Sequence, residues 1–355
     1  MREMRYIGVL QNGTEVRISP DSPNKSIVIS GLCGTGKSQR ICDMEQNIIA
    51  DGGTVIALDL DGSHYTVSGA NIISAREDGI NLNFLDTKIL NRPSDVISEY
   101  ISETANLLLC MTRAGDRQRG ILRTAILWAL ENRGGFSSDF SAIEAGLEEI
   151  GTEKALEVRD KIWLLLRCLV FRESPKKIMK RAINVLSFEG FDSDLKMVIV
   201  EIFLRNLWKE ARIEKSNQIT LVIDEFQNLM LSKKSAIMQM LREARKYGVD
   251  LILATQTFAS FSKDTLSVLN QAAVKLYFRP AMNEVKKLAK QIDDINPEQV
   301  ILMLKRLKIG ESVAIGDLEV GGRHIERAIV VKTNYRKKSG GNDSEQNYIC
   351  RTISE

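Results

Sequence analysis

The sequence predicts an α/β fold built on a mostly parallel sheet, with a helical segment inserted into it. Three observations carry this expectation. Continuous apolar runs such as Ile219-Thr220-Leu221-Val222-Ile223 and Leu251-Ile252-Leu253-Ala254 have the make-up of strands buried on both faces. These runs alternate with stretches of period 3.6, the order that lays helices over a parallel sheet. One apolar run, Ser26-Ile27-Val28-Ile29-Ser30, passes directly into a glycine-rich loop and then a helical pattern.

In chain order, residues 5–18 alternate like a small hairpin, with Asn12-Gly13 as its turn, so 1–25 is expected to be a short N-terminal β segment. Strand 26–30 and its loop lead into a helix from Lys37 to Ala50. Asp51-Gly52-Gly53 ends that helix and opens a strand at 54–59, which runs into the acidic turn Asp59-Leu60-Asp61-Gly62-Ser63-His64-Tyr65. Residues 93–182 read as helical, through Val96-Ile97-Tyr100-Ile101, Ile121-Leu122-Ile126-Leu127 and Ile162-Leu165-Leu166-Leu169. This insertion separates two parts of one core, 26–92 and 183–334. In the second part, strands are expected at 183–188, 219–224, 250–255, 272–278, 311–316 and 327–331. Helices are expected at 192–212, 233–247, 283–292 and 297–307. Residues 335–355, with Lys337-Lys338-Ser339-Gly340-Gly341, have loop composition and are expected to be mobile.

The chain has 355 residues, 44% of them apolar, ample for a packed core, and a net charge of +3. That charge is too small to argue for nucleic acid by itself, so any DNA contact must come from local clusters. Five cysteines without a C-x-x-C pair, and two histidines, argue against zinc and suit a reducing cytosol. Met1-Arg2-Glu3-Met4-Arg5 lacks a signal peptide's apolar core, and the longest apolar run, Ile162 to Phe171, is broken by Arg167. A soluble, cytoplasmic protein without membrane insertion is expected.

Gly31-Leu32-Cys33-Gly34-Thr35-Gly36-Lys37-Ser38 fits G-x-x-x-x-G-K-[ST] at every fixed position, between a strand and a helix. Gly34, Thr35 and Gly36 would wrap phosphates with backbone N–H groups, beside the positive end of the following helix. Lys37 would reach the β- and γ-phosphates of ATP, and Ser38 would ligate Mg²⁺. Asp224-Glu225 closes a later apolar strand: Asp224 suits the metal, and Glu225 can polarise the attacking water. Gln256, ending the next strand, is placed to bond a γ-phosphate or that water. The alternatives are turns rich in glycine and acid, but the agreement of loop, strand and helix favours a nucleotide site of the P-loop type.

The segment Glu243-Ala244-Arg245-Lys246-Tyr247-Gly248-Val249-Asp250-Leu251-Ile252-Leu253-Ala254-Thr255-Gln256 resembles its counterpart in the HerA/FtsK superfamily of ring-forming DNA-translocating ATPases. The first strand and P-loop, the Asp59 turn, the D-E strand and Asn270-Gln271 follow in the family's order, over roughly residues 20–335. The turn departs from D-P-x-G-E-Y in having Ser63-His64-Tyr65. About 25 residues precede the P-loop, where HerA proteins carry a β-barrel. The membrane helices and the winged-helix reader of other branches have no counterpart here.

The resemblance implies a RecA/FtsK-like core and an ATP-dependent, Mg²⁺-requiring motor, a homohexameric ring moving on double-stranded DNA. It implies that Arg245 completes a neighbour's ATP site in trans; Arg279 is a weaker candidate for a second interface cation, and Arg242 and Lys246 could simply form a solvated face with Arg245. Having no nuclease motif, such a motor is expected to serve a nuclease or other effector, in DNA end processing or defence. For DNA contact, Arg113-Ala114-Gly115-Asp116-Arg117-Gln118-Arg119 ranks above Lys176-Lys177 with Lys180-Arg181 and above Lys305-Arg306 with Lys308. Two rival readings are a soluble ATPase energising a conjugation or type IV secretion machine, and an assembly switch with little turnover.

Overall fold

The computed structural model describes residues 5–62, 69–80, 85–110, 112–168, 170, 176–213, 218–258 and 261–333; at 213, 244 and 245 it describes the backbone alone. The expected tail at 335–355 and the turn residues Ser63, His64 and Tyr65 lie outside the described residues.

By its internal contacts the chain divides into two units. One comprises Met1–Ile73, Ile178–Phe188 and Ala211–Glu355, the other Ser74–Lys177 and Glu189–Glu210. The helical stretch expected at 93–182 overlaps the second unit, which opens earlier and also takes in residues beyond strand 183–188.

The elements of the first part of the chain are β1 (Tyr6–Val9), β2 (Glu15–Ile18), β3 (Ile27–Ser30), α1 (Lys37–Ala50), β4 (Thr54–Asp59) and β5 (Asn71–Ser74). There follow α2 (Ser94–Leu108), α3 (Asp116–Asn132), α4 (Asp139–Ile150), α5 (Glu153–Lys161), α6 (Trp163–Leu166), β6 (Ile183–Ser187) and α7 (Ser193–Ile213). The chain then forms β7 (Ile219–Ile223), α8 (Ala236–Glu243), β8 (Val249–Thr255), α9 (Lys263–Leu269) and β9 (Val274–Tyr277). It closes with α10 (Val285–Ile292), α11 (Pro297–Arg306), β10 (Glu311–Gly316), β11 (Leu318–Val320), β12 (Arg323–Ile325) and β13 (Ile329–Lys332).

Among the described residues the strands form a single 13-stranded sheet in the order β12-β11-β2-β1-β13-β10-β9-β3-β8-β7-β4-β6-β5. Its centre, β9-β3-β8-β7-β4-β6, is parallel as expected. From β9 outward the pairings through β10, β13, β1, β2, β11 and β12 are antiparallel. The sheet is therefore mixed, and the reason is local: tight turns at Asn12-Gly13 and Gly321-Gly322 can join only antiparallel neighbours. The hairpin of β1 and β2 is part of this wing, since Val9 pairs with Lys332. β8 is buried along its whole length, as a central strand requires. α1 buries Ile41, Met44 and Ile48 along one face, within a core that includes Ile29, Ile252 and Val331. A second cluster packs Val285, Leu288 and Ile292 of α10 and Val300 and Leu304 of α11 on Tyr277 and Val313.

In the second unit α3 packs against α2, α4 and α5. Gly146 of α4 permits a close approach to α3, because a Cβ there would stand 2.7 Å from the Ala125 carbonyl oxygen. Among the described residues, no helix is long and apolar enough to cross a membrane.

Candidate nucleotide-binding site

The parallel register brings the chemical residues to one edge of the sheet. Ser30, last in β3, is level with Thr255 of β8 and Tyr277 of β9, while Ile223 of β7 is level with Leu253. The loop after β3, the acidic pair after β7 and Gln256 after β8 thus emerge together at the carboxyl ends, where ligands bind in open α/β sheets.

The loop is tied on several sides. Leu32 N–H donates to the Arg279 carbonyl at 3.0 Å, and the Gly310 N–H donates to the Thr35 carbonyl at 2.9 Å. The Thr35 hydroxyl closes the loop onto the Leu32 carbonyl at 2.7 Å. Gly34 and Gly36 have φ of 74° and 100°. Gly36 has a second constraint, because a Cβ would lie 2.8 Å from the Gly310 nitrogen. Lys37, only 6% exposed, donates its Nζ to the carbonyls of Gly31 at 2.8 Å and Leu32 at 3.2 Å. Two neutral carbonyls beside a nearly buried ammonium make an arrangement that an anion completes.

Across from the loop, the Ser38 hydroxyl donates to Asp224 Oδ2 at 3.0 Å. A hydroxyl and a carboxylate meeting beside a phosphate cradle form the oxygen donor set that Mg²⁺ takes. The chain then turns sharply: Glu225 has φ of 54°, its N–H donates to Asp224 Oδ1 at 3.0 Å, and Phe226 is wholly buried. The Glu225 carboxylate receives Gln256 Nε2 on Oε1 at 3.1 Å and Gln227 Nε2 on Oε2.

The structure thus gathers Gly34, Thr35, Gly36, Lys37, Ser38, Asp224, Glu225 and Gln256. Arg245 stands apart from them: its backbone lies in the 3-10 turn Ala244–Tyr247, before β8, whereas Gln256 follows that strand. Seven extended residues put roughly 23 Å between the two ends of β8. The Arg245 side chain lies outside the described residues. Arg279 is engaged locally, its guanidinium donating to the Leu307 carbonyl, and Arg242 Nη1 donates to the Lys233 carbonyl at 3.2 Å. The buried Asp59 accepts the Gly62 N–H at 3.0 Å through Oδ1.

Of the basic clusters, Arg113 and Gly115 sit in the exposed loop before α3, while Arg117 and Arg119 belong to α3 itself, with Arg119 donating to Asn106 Oδ1 at 2.7 Å. Lys176, Lys177, Lys180 and Arg181 are exposed, as are Lys305, Arg306 and Lys308 at the end of α11.

Two residues escaped the sequence reading. Arg40, on α1, is fully buried and donates to the carbonyls of Ile7, Gly310 and Val331 and to the Thr333 hydroxyl, clamping the loop's helix to the antiparallel wing. Gln227 is the other; no sequence signal marks either.

A family model described as the central domain of the helicase HerA matches residues 5–207, more than half of the chain. The chain belongs to the HerA central-domain family. A second model, described as the type IV secretion-system coupling protein DNA-binding domain, matches residues 191–337. Among curated relatives, the DNA double-strand break repair helicase HerA of Sulfolobus acidocaldarius is 23% identical, covering 89% of this chain and 67% of its own length. The protein of that name from Saccharolobus solfataricus is 21% identical, covering 89% and 66%. The chain spans about two thirds of the length of these HerA relatives. Among solved structures, VirB4 of Thermoanaerobacter pseudethanolicus superposes with a TM-score of 0.71 at 16% identity, covering 93% of this chain and 96% of that one. The conjugative coupling protein TrwB, solved with ADP and Mg²⁺, gives 0.59 at 13% identity over 95% and 91%. The fold is that of P-loop ATPases, and the ammonium of Lys37 with the oxygens of Ser38 and Asp224 fits ATP with Mg²⁺.

Proposed function

We propose that this HerA-family chain is an ATP-driven motor that assembles as a homohexameric ring in the cytoplasm and translocates along double-stranded DNA. The observation that carries the reading is the meeting of Lys37, Ser38, Asp224, Glu225 and Gln256 at one sheet edge, within a chain of the HerA family. Lys37 and the loop amides hold the β- and γ-phosphates, and Ser38 with Asp224 holds Mg²⁺. The metal, when bound, neutralises charge on the phosphate oxygens. Glu225 takes a proton from the attacking water, and Gln256 reads the γ-phosphate. Arg245, at the opposite edge of its own sheet, is suited to a neighbour's site, where its guanidinium meets the charge of transfer. DNA contacts fall mainly on phosphates, which makes binding salt-sensitive. The motor serves a nuclease or other effector.

ATPase rates with and without duplex DNA, alongside native mass with an ATP analogue, test this reading. Stimulation by DNA and a six-fold mass are expected. A second reading, a soluble energiser of a secretion machine, is favoured by the coupling-protein match over residues 191–337 and by the likeness to VirB4. It calls for turnover indifferent to DNA and raised by a membrane partner, whereas assembly on ATP without turnover would mark a switch.

A further inference from the structure

The carboxylate of Glu225 is held on both oxygens by side-chain amides, and the two donors differ in setting. Gln256 is exposed at a strand end and can turn away. Gln227 is half-buried and lies in the same tight turn as Glu225, the 3-10 turn Phe226–Asn228. Its backbone is pinned: Asn228 N–H donates to the Glu225 carbonyl at 3.0 Å and Leu229 N–H to the Phe226 carbonyl at 3.1 Å. Between them Phe226 is wholly buried and stacks on Phe261, with ring centroids 5.0 Å apart. Gln227 Oε1 is buried and has no hydrogen-bond partner among the described residues, so its amide has one polar engagement, the Nε2 contact to Glu225.

Each carboxylate oxygen has two lone pairs, so Glu225 Oε1 has room for the attacking water's hydrogen and more of it once Gln256 turns to the γ-phosphate, whereas a carboxylate that loses both donors is free to rotate away from the water. We infer that Gln227 is a positioning residue for hydrolysis: it keeps hold of Glu225 Oε2 while Gln256 releases Oε1 to the attacking water. This rests on the reading of Glu225 as the base. It assigns the fixed half of the clamp to the turn itself and the switching half to the end of β8. The proton leaves water for Glu225 Oε1, the water oxygen bonds to the γ-phosphorus, the bond from that phosphorus to the β,γ-bridging oxygen breaks, and ADP leaves with that electron pair beside inorganic phosphate; the N–H···Oε2 bond is kept throughout.

The test is a double-mutant cycle on the full chain, with ATPase measured by phosphate release and nucleotide affinity by titration of a fluorescent ATP analogue. Gln227→Met keeps length and removes the donor; Gln227→Asn keeps the amide but draws it back by one methylene, and retained analogue affinity shows that the turn is intact in both. Each is expected to lower kcat about ten- to a hundredfold, as losses of orienting partners do, with analogue affinity within about twofold of wild type. In a Glu225→Gln background the same substitutions are expected to change the residual rate little, because the group they position is gone. A wild-type kcat in Gln227→Met, an equal loss in the Glu225→Gln background, or a parallel loss of affinity overturns the inference alone. Wild-type turnover in Glu225→Gln itself overturns the reading of Glu225 and this inference with it.

Discussion

Lys37 and Glu225 illustrate how differently two residues of one site are held. The ammonium of Lys37 is buried against neutral carbonyls, and on the proposed reading it is the main side-chain charge for the phosphates. Lys37→Ala is therefore expected to weaken ATP binding strongly and to abolish turnover, read by analogue titration and phosphate release on a protein with unchanged circular dichroism. Glu225→Gln preserves shape and removes the proposed base, so it is expected to bind ATP normally and to hydrolyse at least about a hundredfold more slowly, on the order of general-base losses. Single-turnover kinetics equal to wild type would exclude that role. A third residue acts on stability. Arg5 donates to Asp250 at 2.8 Å and to the Thr220 hydroxyl at 2.9 Å, with both charged side chains buried. Arg5→Ala strands the Asp250 charge, and the expected cost is about 3–5 kcal/mol, seen as a lowered thermal midpoint. A midpoint within about 1 °C of wild type would refute it.

At the scale of elements, the site depends on where strands end. The P-loop is fastened through Gly310 and Arg279 to segments that flank α10 and α11, and through Arg40 to β1 and β13, so the cradle is braced by the antiparallel wing as much as by its own strand. Within the second unit, Asp86 caps the 3-10 turn Thr87–Asn91 and pairs with Lys209 of α7 at 2.9 Å. Partial burial pushes the Asp86 carboxyl up, but the Lys209 hydrogen bond and charge outweigh it and hold it below the ordinary carboxylate value. A depressed value in the fold means stability that is present above the unfolded-state value, near 3.9, and lost as pH falls through the folded value. Asp86→Asn is expected to remove that acid-side loss. Because both side chains stay partly open to solvent, the effect is small, under about 1 kcal/mol, and an acid titration of helicity on both proteins reads it. Identical acid limbs would refute the assignment.

For the whole molecule the decisive question is whether one chain completes another's site. Arg245 and Gln256 flank β8 at opposite ends, so an Arg245 that serves catalysis must serve a different copy. Arg245→Ala is expected to bind nucleotide almost normally and to lose at least about a thousandfold in turnover, the scale of an arginine finger. Mixed with an excess of Glu225→Gln, it is expected to recover some activity, because the arginine of one variant then faces the intact ATP site of the other. Native mass must show mixed rings first. Confirmed mixed rings without activity would rule out the trans role and turn attention to Arg279 or Arg242.

The order of β3, P-loop and α1, the acidic end of β7 and the amide after β8 were legible in the sequence, because each is a local pattern: an apolar run, its terminator and the polar residue that follows. The same local character made the parallel centre of the sheet predictable. What no window of sequence contained was the meeting of distant segments. The short, partly exposed strands β5, β11 and β12 exist because neighbours offer them hydrogen bonds. Arg40 reads as a surface helix residue until the carbonyls of Ile7, Gly310 and Val331 surround it, and Asn184 reads as a polar interruption of β6 until it is seen bridging Val55 and Met179. Gln227, two residues from the acidic pair, became visible only when a left-handed Glu225 folded the turn back on itself. The sequence by itself determined which chemical groups the chain carries to the sheet edge. Tertiary structure alone decided which groups hold them there, since a buried donor or acceptor takes its partner from whatever the packed chain brings within hydrogen-bond reach.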